Sequence, residues 1–186
     1  VERASKANNQ AFNLEAYDSQ LALAEPRNTV EEDLMKQELV QGVDEGDEQF
    51  NAESQLDQQT YGWEDKYAPQ KPRYMNRVHV GYDWNKYNQT HYDKSNPPPK
   101  TVKGYKFNIF YPELVDPLKA PTFYIQDTDN PDVAIIVFTA GPPYVDIAFK
   151  IVKRPWEFSH KRGYRCTFER GVLRLWFNFQ RARYRR

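Results

Sequence analysis

Few residues of this 186-residue chain have the types and spacing that covalent chemistry needs. Its three histidines, His79, His91 and His160, stand far apart, and no Cys or His pair has zinc-ligand spacing. There is no nucleophile elbow, phosphate-cradling glycine loop or dinucleotide fingerprint. Asp65, Asp83 and Asp93 form a conceivable acid–base set, but their aromatic, lysine-rich surroundings favour salt-bridged structural roles. The single cysteine, Cys166, is in phase with Tyr164 and Phe168 and reads as a buried structural thiol. With no internal disulfide available, a reducing compartment is the simpler reading. The chain is read as no enzyme, with no metal, cofactor or small-molecule substrate.

The chemistry that remains is recognition by charge and by aromatic rings. Residues 150–186 hold twelve Lys or Arg and two acids, Glu157 and Glu169. Residues 1–60 hold fourteen acids and four bases, a net of −10, and residues 61–149 hold ten of each sign. The formal charge of zero therefore conceals an acidic start and a basic finish, which points to charged partners at both ends. Two groups of residues are the candidate contacts. One is the aromatic and amide-rich string 84–92, with Trp84, Lys86, Tyr87 and His91. The other is the terminal set Arg181, Arg183, Arg185 and Arg186. Cations neutralise phosphate and exposed rings stack on bases. The string 84–92 reads equally as a buried polar network that fixes the fold, and any single arginine of the terminus as a charge that keeps a strand edge soluble.

These residues must be held by a scaffold, and the aromatics locate it. Of 28 Phe, Tyr and Trp residues, only Phe12, Tyr17 and Phe50 precede residue 61, so a core forms after that point. Residues 1–60 are read as an acidic extension that does not fold by itself. It has a short helix near 29–41, in which Thr29 and Glu32 have capping-box spacing and Gly42 is the stop. Residues 43–60 are read as an extended linker across the domain or a partner, with Phe50 and Leu56 as isolated anchors. From 61 onward the dominant period is two. Tyr105, Phe107, Ile109 and Tyr111 alternate with Lys106, Asn108 and Phe110. Thr122–Gln126 and Val133–Thr139 flank a turn-rich loop. Ile147, Phe149 and Ile151 form another run, and a tight turn at Arg170-Gly171 leads into Leu173, Leu175, Phe177 and Phe179. Arg174, Trp176, Asn178 and Gln180 take the opposite face. This predicts a mainly β domain over 61–186, an antiparallel sheet folded as a barrel or a sandwich, with no helix of useful length. No apolar run approaches the roughly 18 residues of a membrane helix, and no membrane partner is expected. The sequon Asn88-Gln89-Thr90 is read as chance. The chain lacks an initiator Met and reads as part of something longer.

Several long strings carry a resemblance. Residues 73–93, RYMNRVHVGYDWNKYNQTHYD, resemble the C-terminal domain of the cactin family. So do Asn96-Pro97-Pro98-Pro99-Lys100, Gly104–Pro112, Ala140–Tyr144, Asp146–Val152 and Tyr184-Arg185-Arg186. The likeness covers 61–186 well and 29–56 loosely, and departs mainly at 113–132. It implies a nuclear protein of pre-mRNA splicing, a component of the late, catalytically activated spliceosome, whose partners are spliceosomal proteins and pre-mRNA or snRNA. It also implies, as an alternative, a signalling adaptor that binds an IκB-type regulator in the Rel/NF-κB pathway. No catalytic motif comes with the resemblance.

Overall fold

The computed structural model describes residues 33, 35–38, 42–57 and 59–181. Among these described residues eleven strands follow in chain order: β1 (Asp47–Gln49), β2 (Glu53–Ser54), β3 (Arg73–Tyr74), β4 (Arg77–Gly81), β5 (Thr101–Phe110), β6 (Thr122–Asp127), β7 (Val133–Thr139), β8 (Ile147–Val152), β9 (Trp156–Glu157), β10 (Arg165–Glu169) and β11 (Val172–Phe179). Seven form one sheet along the path β1-β4-β5-β11-β10, with β3 also on β5 and β9 also on β11. The other four form a sheet in the order β2-β8-β7-β6. Every strand pairing is antiparallel. Among the described residues neither sheet closes on itself, so of the two predicted forms the barrel is excluded and the architecture is sandwich-like.

The two-residue period builds the interface between the sheets. Tyr105, Phe107 and Ile109 of β5 and Leu173, Leu175, Phe177 and Phe179 of β11 meet Ile136 and Phe138 of β7 and Ile147, Phe149 and Ile151 of β8 in one apolar cluster. Phe177 stacks on Trp156 with centroids 3.6 Å apart. The Tyr105 hydroxyl accepts from the Val152 backbone N–H at 3.0 Å and so ties β5 to β8, while burial pushes its pKa up to about 12 and keeps it neutral. The β10–β11 turn has positive φ at both central residues, Arg170 (52°) and Gly171 (76°). That geometry matches the twist of two antiparallel strands, and it sets Glu169 opposite Val172.

Upstream residues are woven into both sheets. β1 adds to β4 and β2 adds to β8. Between them Phe50 enters the core, with its ring centroid 5.0 Å from Tyr105, 6.0 Å from Phe107 and 6.2 Å from Phe149. Of the helix expected near 29–41, the described residues 33 and 35–38 are helical, with Met35 and Glu38 buried. Thr29, Glu32 and residues 1–28 lie outside the described residues.

Two expectations are corrected. Lys86–His91 is a short helix, α1, where none was expected. Its stability is local and polar: the Asn85 side chain caps it by accepting from Asn88 N at 2.8 Å, and Thr90 Oγ1 donates to Lys86 O at 2.9 Å. No residue of α1 is buried, so it has no apolar period to detect. Cys166 is exposed, not a buried thiol. Its pairing partner Leu175 is fully covered, but β10 is an edge strand where even Tyr164 and Phe168, either side of Cys166, are only partly buried against the core.

Candidate nucleic-acid and protein interface

α1 projects from the end of β4, and the amides of its string are spent on holding it there. Asn88 Nδ2 donates to Asp83 O, and Gln89 Nε2 donates to Trp84 O at 3.1 Å. The remaining side chains face outward: Trp84 is 41% exposed and Tyr87 62%, and Lys86 and His91 are exposed too. Tyr87 and His91 lie against each other, centroids 4.2 Å apart, as expected for ring residues four apart on a helix. Tyr82 lies 5.8 Å from Trp84, and the Lys100 ammonium is 6.0 Å from the Tyr82 ring.

Cations converge on the same end of the large sheet, because β4 ends there, β5 begins there and β11 ends there. Lys103 joins the groups. Its ammonium pairs with Asp83, the residue before Trp84. Burial lowers the Lys103 pKa, and the positive charges of Arg154 and Arg181 lower it further. Arg154 donates to Val102 O at 3.1 Å and lies 5.2 Å from the Phe179 ring. Trp84, Lys86, Tyr87 and His91 are thus placed on one end of the sandwich with Arg181, two segments nearly a hundred positions apart in sequence. Arg183, Arg185 and Arg186 lie outside the described residues. Sequence reading passed over Lys100, Lys103 and Arg154. Only the register that sets Gly81 opposite Thr101 and Gly104 opposite Asn178 brings them in.

Of the three aspartates noted as a conceivable acid–base set, Asp65 is exposed and the other two have structural partners. Asp83 pairs with Lys103, and Asp93 accepts from Ser95 and Asn96 in a local turn. Among the described residues, no group of three or more His, Cys, Asp and Glu is placed to hold a metal.

A second charged surface covers the outer face of the seven-stranded sheet, and here the acidic segment is seated. Arg174 holds both carboxylate oxygens of Glu38, with Nε at 3.0 Å from Oε2, and Arg77 Nη2 donates to the Glu38 carbonyl at 3.3 Å. Lys106 donates to Gly42 O at 2.6 Å and pairs with Asp44 at 2.6 Å and Asp47 at 3.0 Å. Gly42, at φ +64°, lies so close to the Trp176 indole that a Cβ there would come within 2.2 Å of it. Asp47 also meets His79 Nδ1 at 2.9 Å.

Burial raises the Asp47 pKa, but hydrogen bonds from His79, the Asp44 backbone and Lys106 outweigh it and leave the carboxyl below its ordinary value. A depressed folded-state pKa gives stability that is present above the unfolded value, about 3.9, and is lost as pH falls through the folded one. The Tm deficit of Asp47→Asn should therefore be largest near neutrality and shrink on acidification below about pH 4. A deficit that holds constant down to the foot of the acid transition would show that the Asp47 charge contributes nothing.

The fold and these surfaces describe a sandwich-like β module with exposed rings and cations at one end of its large sheet. The family model described as the Cactus-binding C-terminus of cactin protein matches residues 63–186. The chain is 63% identical over 147 residues to the "Splicing factor Cactin" of Arabidopsis thaliana, a match of 77% of this chain and 20% of that protein. To the proteins of that name in Caenorhabditis elegans and Homo sapiens it is 59% identical over 146 residues and 55% over 156, covering 78% and 83% of this chain and 22% and 21% of theirs. The chain belongs to the cactin family, and it spans about a fifth of the length of these curated relatives.

Proposed function

We propose that the chain is a non-catalytic module of a nuclear pre-mRNA splicing factor, a scaffold that holds proteins and RNA in the late, catalytically activated spliceosome. The relatives' shared name supplies the setting. The observation that carries the reading is the junction at Lys103. There the exposed rings of Trp84 and Tyr87 and the cations Lys100, Arg154 and Arg181 come to one end of the fold. Cations in mutual repulsion are relieved by a polyanion, and rings beside them give bases a stacking surface.

Fluorescence anisotropy of the chain with a labelled single-stranded RNA, titrated with salt, tests the reading. Affinity should fall linearly on a log–log plot, and Lys103→Ala with Arg181→Ala should flatten the slope by about two counterions. Removal of 181–186 should weaken recruitment to splicing complexes in pull-downs while leaving the circular dichroism spectrum intact. A truncated chain that no longer folds would make the terminus a structural strand end instead. The family description favours a second reading, an adaptor for an IκB-type regulator. In that case the protein surfaces alone act and no RNA affinity is found at any salt concentration.

A further inference from the structure

We propose that the outer face of the seven-stranded sheet is a second surface for single-stranded RNA, and that the segment carrying Glu38 and Asp44 occupies it in RNA's absence. The inference rests on the RNA-binding part of the reading above, but it concerns a different surface and different residues.

The face is built by register. Arg77, Lys106, Trp176 and Arg165 are successive partners across β4, β5, β11 and β10, so they form one row with neighbouring strands about 4.8 Å apart. Arg174 lies two residues along β11 on the same side. The Lys106 ammonium and the Arg165 guanidinium each stand 5.3 Å from the Trp176 ring. The indole N–H donates to Asn108 Oδ1 at 2.9 Å, which fixes the plane of the ring. Two cations flanking an immobilised indole, with Arg174 on the same face, make a preformed seat for phosphates and a base.

What fills the seat imitates a polyanion. Glu38 presents two oxygens to Arg174 as a phosphate would, Asp44 pairs with Lys106 beside Asp47 of β1, and Gly42 lies on the indole where a base would stack. The grip is ionic. Of the described residues before β1, only Met35 is a buried apolar anchor. Buried ion pairs fix geometry but add little net stability once desolvation is subtracted, so these pairs make the contact specific without making it strong. RNA is favoured over an acidic protein as the competing ligand because of Trp176. An acidic peptide needs the cations alone, whereas an indole held between two of them is a stacking platform.

The test uses the full 186-residue chain and fluorescein-labelled oligouridylate at low salt, with labelled polyglutamate in parallel. Glu38→Gln with Asp44→Asn should bind the RNA about tenfold more tightly than the unaltered chain, a usual size for coupling between linked sites. Adding Trp176→Leu should abolish that gain, whereas adding Lys103→Ala should lower affinity and leave the gain in place. Equal affinity of the double variant and the unaltered chain overturns the proposal, and the Lys103 surface is then judged by its own variants. A gain for polyglutamate without one for RNA also overturns it, and names an acidic protein as the ligand. If the double variant does not fold, hydrogen exchange of the unaltered chain decides. Saturating RNA should speed exchange at residues 35–38 and 42–44, and unchanged rates there count against displacement.

Discussion

Replacing Phe177 with alanine is expected to destabilise the domain by about 3–5 kcal/mol, the range for deleting a packed aromatic side chain. Phe177 is 1% exposed, stacks on Trp156, and touches the rings of Tyr105, Phe107 and Phe179 from an interior strand. Cavity cost grows when neighbours cannot collapse into the space, and here they are fixed by sheet hydrogen bonds on both sides. Urea unfolding measures it. A loss below about 1 kcal/mol would mean that the facing sheet repacks freely.

The second large effect lies upstream of the residues that the family model matches. Phe50→Ala should cost a similar 3–5 kcal/mol, because its ring is 4% exposed between the sheets. A fragment beginning at Tyr61 loses more: the ring, the β1–β4 pairing and the β2–β8 pairing together. A fragment beginning at Gly42 keeps all three and should unfold at a higher urea concentration with a larger m-value, since it buries more surface. Coincident unfolding curves for the two fragments would show that residues 42–60 lie on the domain without stabilising it.

The sequence was legible where one rule acted alone. The alternation of Leu173, Leu175, Phe177 and Phe179 named the core face of β11, and Arg170-Gly171 named its turn, because burial and left-handed backbone each leave a local mark. β6 and β7 were found by the loop between them, with β6 one residue longer than expected. α1 was missed because its determinants are caps and amides rather than an apolar stripe. Cys166 was misread because period two reports which face a residue takes, not whether anything covers that face. The Arg174 face was partly legible. Its phase was plain, but its pairing with Glu38 spans 136 positions, and no local pattern announces a contact at that distance. The candidate interface shares that limit. Its aromatic and arginine-rich ends were visible separately, and only the tertiary fold sets them around Lys103.

The position of β11 also bears on the order of events during synthesis. It lies inside the large sheet, where Val172 pairs with Phe110 and Asn178 with Gly104, yet it is translated after the other ten described strands. A nascent chain that has emerged only as far as β10 has β5 with an open flank, and Phe107 and Ile109 without their cross-strand partners. Topologies dominated by such distant pairings fold slowly and leave sticky intermediates exposed. Folding on the ribosome should therefore be deferred until Phe179 has cleared the exit tunnel. Chains arrested with residues through Glu169 outside should be digested by protease, and those arrested with residues through Phe179 outside should resist. Early resistance in the shorter chains would show that the small sheet and β4–β5 can stand without the strand that closes them.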